Sequence, residues 1–296
     1  MTHNYRKIGI KITLLITTVL STSEVNARPQ VSYSGGTILV TTITNNNVTV
    51  AEDSRIKNLE TGEYSDDDCK IKSLGGKLIF GFSGIPKFDI IDANHPLDVA
   101  AATHWNARAT AVRAYRRVSR KTAHEAAEQF AVFATNAFDN LRKAIGPVKL
   151  IRMAGGHPDD LSMAVFAGIG PSGKPEAFAI RFFYSDTKQA VDSEIGTGIV
   201  PSAADPFGAF ASGSDTRIVD EMKSDRTFRA HMELSQWKQS VAAKTFDEKA
   251  SLFAVQLVKW EIMYSGDPNI GGEADYMILS RDGIADHRKT RCQGRD

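Results

Sequence analysis

A threonine at the start of a chain can be a nucleophile that carries its own base. The hydroxyl alone is unreactive near neutral pH. A free α-amine has a pKa of about 7.7–8.0, so part of it is unprotonated there, and nucleophile and base then sit on one residue. The sequence holds a threonine behind two glycines, Gly35-Gly36-Thr37, and follows it with Asp53-Ser54-Arg55, Lys70 and Gly84. Asp53 lies 16 residues after Thr37, Lys70 lies 17 after Asp53, and Gly84 lies 14 after Lys70. A neighbouring ammonium lowers an amine's pKa by like-charge repulsion. An aspartate paired with that lysine holds it in place. A backbone N–H at a glycine-rich turn can receive an oxyanion. Together these residue types describe amide hydrolysis through an ester intermediate.

The set resembles the β-subunits of the proteasome and the related HslV-type bacterial peptidase, which are N-terminal-nucleophile (Ntn) hydrolases. The resemblance implies that Thr37 is the nucleophile, freed by autocatalytic cleavage at Gly36-Thr37. It implies Asp53 and Lys70 as the supporting pair, with one extra residue in the loop before Lys70, and Gly84 as the oxyanion donor. Gly213-Ser214 resembles the family's Gly-Ser before a helix, which makes Ser214 a support of the threonine. The run Asp267 to Gly272 resembles the family's Asp-x-x-Ser-Gly-Gly segment, with Asp267 as the supporting aspartate. Ile270 stands where the family has serine, and Ser265 is the nearest hydroxyl. The implied fold is α+β, a four-layer αββα sandwich of two antiparallel sheets flanked by helices. The match is specific over residues 36–84 and thinner over 163–183, 205–220 and 264–284, and the helical stretch around 90–121 reads as an elaboration.

Taken singly, these residues have plain readings. Thr37 can be a strand threonine in an uncut chain, Lys70 an exposed lysine, and Asp53 a strand-end cap. The family includes non-catalytic members such as the proteasome α-subunits, so an inactive scaffold or assembly subunit is the alternative function. Ser54 and Lys57 match the Ser-x-x-Lys of serine acyl-enzymes. That motif needs a helix to carry Lys over Ser, and its usual partner motifs are absent. Arg108, Arg113, Arg116, Arg117, Arg120 and Lys121 make a basic stretch that reads as a solvated face, or as a contact with an anionic surface or partner subunit. Asp66 to Asp68 reads as a solvated loop with some attraction for a cation. Seven histidines show no zinc-ligand spacing, and no phosphate-binding glycine loop is present, so no metal or cofactor is implied.

The elements that would position this chemistry follow from periodicity. Residues 37–44 and 48–52 are rich in β-branched types and flank Asn45-Asn46-Asn47, which reads as a hairpin. Leu78 to Ser83 is a strand, and 57–68 a loop. A helix is expected from Pro96 to about Lys121. A second helix opens at Thr122 with Glu125 three residues on, presents Phe130, Ala134, Phe138, Leu141 and Ile145, and stops at Gly146-Pro147. Strands are expected at 163–169 and 177–183. A late helix opens at Thr245-x-x-Glu248 with Phe253, Leu257, Trp260 and Tyr264 on one face, and a last strand covers 274–280.

Length and composition set the frame. The 296 residues suit one large domain or two small ones. Hydrophobic residues at 42% and charged residues at 24%, with a net charge of +1, exclude a mainly disordered chain and a uniformly basic nucleic-acid binder. Cys69 and Cys292 can pair in an oxidising compartment or stay as two thiols. Arg6, Lys7 and Lys11 precede or enter an apolar stretch too short to span a bilayer, and Val25-Asn26-Ala27 fits a signal-peptidase site. Residues 1–27 therefore read as a signal peptide, 28–36 as a propeptide, and 37–296 as a single domain, secreted or periplasmic; the alternative is an amphipathic N-terminal tail or a wrongly chosen start codon, with the protein cytoplasmic. After signal removal no integral membrane association is expected. The family's usual setting is an ATPase-fed cytosolic cylinder, so self-association is one expectation. Export points instead to small peptides or other amides as substrates, without an unfoldase and with no nucleic acid.

Overall fold

The computed structural model describes residues 30–35, 38–58, 61–66, 69–91, 103–196, 198, 201, 207–212, 245–289 and 292. It is mixed α+β, with three five-stranded sheets in which every neighbouring pair runs antiparallel. The expected hairpin forms as β2 (Leu39–Thr44) and β3 (Asn47–Asp53). β1 (Gln30–Gly35) precedes it. β4 (Ile56–Asn58), β5 (Tyr64–Ser65), β6 (Lys72–Leu74), β7 (Leu78–Ser83) and β8 (Lys87–Ile91) follow. Next come β9 (Thr103–Asn106), helices α1 (Ala107–Arg117), α2 (Ala123–Ile145) and α3 (Pro147–Met153), and strands β10 (Ser162–Ile169), β11 (Pro175–Ser185), β12 (Ala190–Ile195) and β13 (Phe207–Ser212). Helix α4 (Phe246–Tyr264), β14 (Ala274–Ser280) and β15 (Gly283–Asp286) close the chain.

Alternation along β2 and β3 explains the stacking. Leu39, Ile43, Val48 and Val50 project from the sheet β13-β2-β3-β14-β15 and pack with Ile79, Val165 and Ala177 of the sheet β12-β11-β10-β7-β6. Ile38, Val40 and Ala51 project the other way and pack on Phe253, Ala254, Leu257 and Val258 of α4. The far face of the second sheet carries Phe80, Phe166 and Phe182, which α2 covers with Phe130, Ala134, Phe138 and Leu141. Each fully buried side chain of this size stabilises the fold by roughly 1.5–3 kcal/mol relative to exposure. The third sheet, β5-β4-β1-β8-β9, places β1 between β4 and β8.

The helix starts follow their caps. Thr122 Oγ1 accepts from Glu125 N–H at 3.2 Å, but the Glu125 carboxylate accepts from Arg120 N–H instead of closing the reciprocal bond. At α4 the box is complete between Thr245 and Glu248. Gly146, at φ +83°, ends α2, and Pro147 opens α3 at once.

Three expectations are corrected. The loop over 57–68 contains the end of β4 and all of β5, paired at Ile56↔Ser65 and Lys57↔Tyr64. Strands this short leave no periodic signal. The helix expected from Pro96 begins only at Ala107: residues 103–106 pair with β8, Trp105 Nε1 donates to Ile85 O, and Asn106 caps α1. Residues 96–102 lie outside the described residues. On α4, Phe253 and Leu257 are buried as expected, whereas Trp260 is half-buried and Tyr264 exposed. No helix among the described residues is long and apolar enough to cross a membrane.

Candidate functional site

Asp53 ends β3, and its side chain organises the site. It is fully buried. Oδ1 accepts from Lys70 Nζ at 2.9 Å and from Ile38 N–H at 2.9 Å. Oδ2 accepts from Gly271 N–H at 3.1 Å and Arg55 N–H at 3.2 Å. A buried carboxylate needs such partners, because desolvation without them is costly. Lys70 is also buried, at 5% exposure, so the pair is shielded from salt and solvent. Ile38 is the residue that follows Thr37 in the chain.

Lys70 follows Cys69 on the segment leading into β6. Cys69 is joined to Cys292 with a Cα–Cα distance of 5.5 Å. Arg108 of α1 donates to Cys69 O, and Arg288 Nη1 donates to Ile71 O at 2.9 Å. Both neighbours of Lys70 are therefore held. Lys70 also lines a small cavity with Phe82, Pro86, Asn106 and Arg108.

Gly84 closes β7 with φ +111°, a backbone angle that L side chains rarely adopt. A Cβ there would lie 2.8 Å from Ser162 Cβ and 2.9 Å from Ser162 Cα. The following N–H, of Ile85, donates to Ser162 Oγ at 3.2 Å. Ser83 and Ser212 hydroxyls meet at 2.9 Å across sheets. Asp267 Oδ1 accepts from the N–H and the Nδ2 of Asn269, both at 2.8 Å, which closes a local turn. What reaches Asp53 from this loop is the Gly271 N–H. Ile270, at the position where the resemblance expects serine, is 3% exposed and packs with the α4 cluster. Thr37 and Ser214 lie outside the described residues, as do residues 1–27, Gly36, Asp67 and Asp68.

Ser54 lies at the β3–β4 connection and Lys57 on β4, so the helix that a Ser-x-x-Lys acyl-enzyme pair needs is not there. Ser54 Oγ is buried and accepts from Glu273 N–H at 3.0 Å and Lys289 Nζ at 2.9 Å. The Lys57 ammonium sits 5.2 Å from the Tyr64 ring centroid. Beside them, Arg55 Nε and Nη2 bind Asp66 at 2.7 and 3.1 Å. The side-chain hydrogen bond from Arg55 holds the Asp66 carboxyl below the usual carboxylate range. Among the described residues no three His, Cys, Asp or Glu side chains gather as metal ligands.

Glu52 and Lys289 escaped the sequence reading. Glu52 continues the buried face begun by Val48 and Val50 and is fully buried, with Oε1 accepting from Phe82 N–H at 2.7 Å. A charge on the apolar side of a period-two pattern is a signal that could have marked it. Nothing local marks Lys289. Compared with known proteins, the sequence matches no family model and no curated protein.

Proposed function

We propose that this chain is a self-processing Ntn hydrolase of the αββα type, cleaving amide bonds with Thr37 once cleavage at Gly36-Thr37 has exposed its amine. The observation that carries the reading is the Asp53 carboxylate, which binds the Lys70 ammonium and the Ile38 N–H with one oxygen. A buried cation is thereby tied to the backbone next to Thr37, where it can lower the pKa of a liberated α-amine. Thr37 Oγ attacks the carbonyl carbon, and the amine takes the hydroxyl proton and passes it to the leaving nitrogen. The N–H at Gly84 receives the oxyanion, and water hydrolyses the ester.

The pairing of β1 supports a peptide substrate. Its residues precede Thr37, and it runs antiparallel to both neighbours, with Gly35 opposite Lys57 and Ser34 opposite Lys87. Departure of residues 28–36 leaves the edges of β4 and β8 open to an extended peptide, which can bind by strand addition. In an exported protein two cuts are required, after Ala27 and before Thr37.

The test is the intact mass and N-terminal sequence of the purified protein, together with Thr37→Ala. The expected mature chain starts at Thr37, and the variant neither processes nor turns over a fluorogenic peptide amide. A folded wild type that keeps residue 36 bonded to Thr37 reduces the chain to an inactive scaffold.

A further inference from the structure

The segment after β15 reaches both halves of the Asp53–Lys70 pair. Arg288, 3% exposed, donates from Nη1 to Ile71 O at 2.9 Å, and its other nitrogens bind Asp286 at 2.9 and 2.7 Å. Lys289 donates from Nζ to Ser54 Oγ and to Asp66 O, each at 2.9 Å, and from its backbone to Asp275 Oδ1 at 2.8 Å. Cys292 N–H donates to Lys289 O at 2.7 Å, and the Cys292 sulfur is bonded to that of Cys69. Ser54 follows Asp53, and Cys69 and Ile71 flank Lys70. One short segment thus fixes Ser54, which follows Asp53, and both neighbours of Lys70. The covalent link spans 223 residues, and once it is broken the approach rests on the hydrogen bonds of Arg288 and Lys289.

We infer that Arg288, Lys289 and Cys292 form a C-terminal clasp that positions Lys70 against Asp53, and that the Cys69–Cys292 disulfide makes the site depend on an oxidising environment. The inference rests on the hydrolase reading for its consequence in turnover, but not for the geometry. Closing the clasp removes two protons and two electrons from the Cys69 and Cys292 thiols and delivers them to a disulfide oxidant, which becomes two thiols. A dithiol reductant reverses the exchange and is itself oxidised to a disulfide. Ordinary structural disulfides stabilise a fold as a whole; this one acts locally, because Lys70 is the next residue along the chain.

The experiment compares oxidised full-length protein with protein reduced by dithiothreitol and capped with iodoacetamide, the two states being distinguished by intact mass. Acetylation of Lys70 by an N-hydroxysuccinimide ester, read by peptide mapping, is expected to rise about tenfold or more on reduction, as local opening exposes the amine. Amide exchange in β10 and β11 is expected to stay unchanged. For turnover of a fluorogenic peptide amide, kcat falls about tenfold or more with KM nearly constant, the pattern of a displaced catalytic group. Lys289→Met reproduces part of the rise in labelling, and Lys289→Arg restores protection. Unchanged Lys70 labelling in fully reduced protein overturns the clasp. So does a rise in exchange across β10 and β11 that matches the rise at Lys70, which makes the disulfide a global staple. Purified protein with two free thiols overturns it as well. If the oxidised protein is not cut before Thr37, the hydrolase reading fails, and the labelling still decides the clasp.

Discussion

Glu52 and Asp53 are consecutive residues of β3 whose carboxylates serve opposite faces of one sheet. Glu52 reaches across the inter-sheet core to the Phe82 N–H of β7, the strand that Gly84 follows. Asp53 turns the other way and gathers Ile38, Lys70 and Gly271. The strand's two-residue period turns one pair of neighbours into two separate supports, one for β7 and one for Lys70.

Glu52→Ala leaves the Phe82 N–H buried without its acceptor, which costs about 1–3 kcal/mol. Glu52→Gln keeps an acceptor oxygen and loses less. Urea midpoints are expected to fall in the order wild type, Gln, Ala. An alanine variant as stable as wild type contradicts the cross-sheet role.

Lys70→Ala removes the cation from a buried pair, and about 3–5 kcal/mol of stability goes with it. The three backbone N–H donors to Asp53 offset part of that loss. Replacing both partners, in Asp53→Asn with Lys70→Met, is expected to cost clearly less than the sum of the single changes. A double-mutant cycle in urea measures the coupling. Additive losses mean that the pair is not energetically coupled.

Gly84→Ala forces a Cβ onto a positive-φ residue and against Ser162. The expected loss is about 1–3 kcal/mol in stability, and turnover drops through kcat, since the N–H at this turn moves. Steady-state kinetics on the folded variant checks this, and an unchanged kcat removes Gly84 from the mechanism.

Phe130 is the centre of the aromatic core, with ring centroids of Phe80, Phe166 and Trp105 at 5.1, 5.4 and 5.9 Å. Phe130→Ala is expected to destabilise by about 3–5 kcal/mol through lost burial and a cavity. Thermal unfolding followed by circular dichroism measures it, and a shift of only a few tenths places the core elsewhere.

Asp275 gives a pH dependence with a defined sign. Burial pushes its carboxyl up, and the nearby Glu273 adds to this, against the Lys289 N–H and the charges of Lys289 and Arg288. Its folded pKa therefore lies above the unfolded value. Its stabilising contribution is fully present below the unfolded pKa and is lost as pH rises through the folded one. Asp275→Asn removes that loss, so the stability of the variant relative to wild type should climb as pH goes from acidic to neutral. Urea midpoints across that range test it, and a variant that loses ground to wild type as pH rises reverses the sign.

Several elements could be read from local sequence because local forces specify them. The Asn45–Asn47 turn, the short, mainly apolar run of Leu78 to Ser83, the Thr122 and Thr245 caps and the three- and four-residue spacing on α2 each act within a few residues. The spacing of Asp53, Lys70 and Gly84, 17 and 14 residues apart, is also visible in the sequence, and of these the fold joins Asp53 and Lys70 directly. Other features arise from long-range pairing. β1 is a strand because Gln30 to Ser34 lies opposite Ile91 to Lys87. Asp53 meets Gly271 across 218 residues, and Lys289 meets Ser54 across 235. Cys69 and Cys292 could pair or stay apart until the two segments were seen to converge. Contacts of that range leave no periodicity or cap in the chain, because their free energy appears only when distant segments pack and exclude water together.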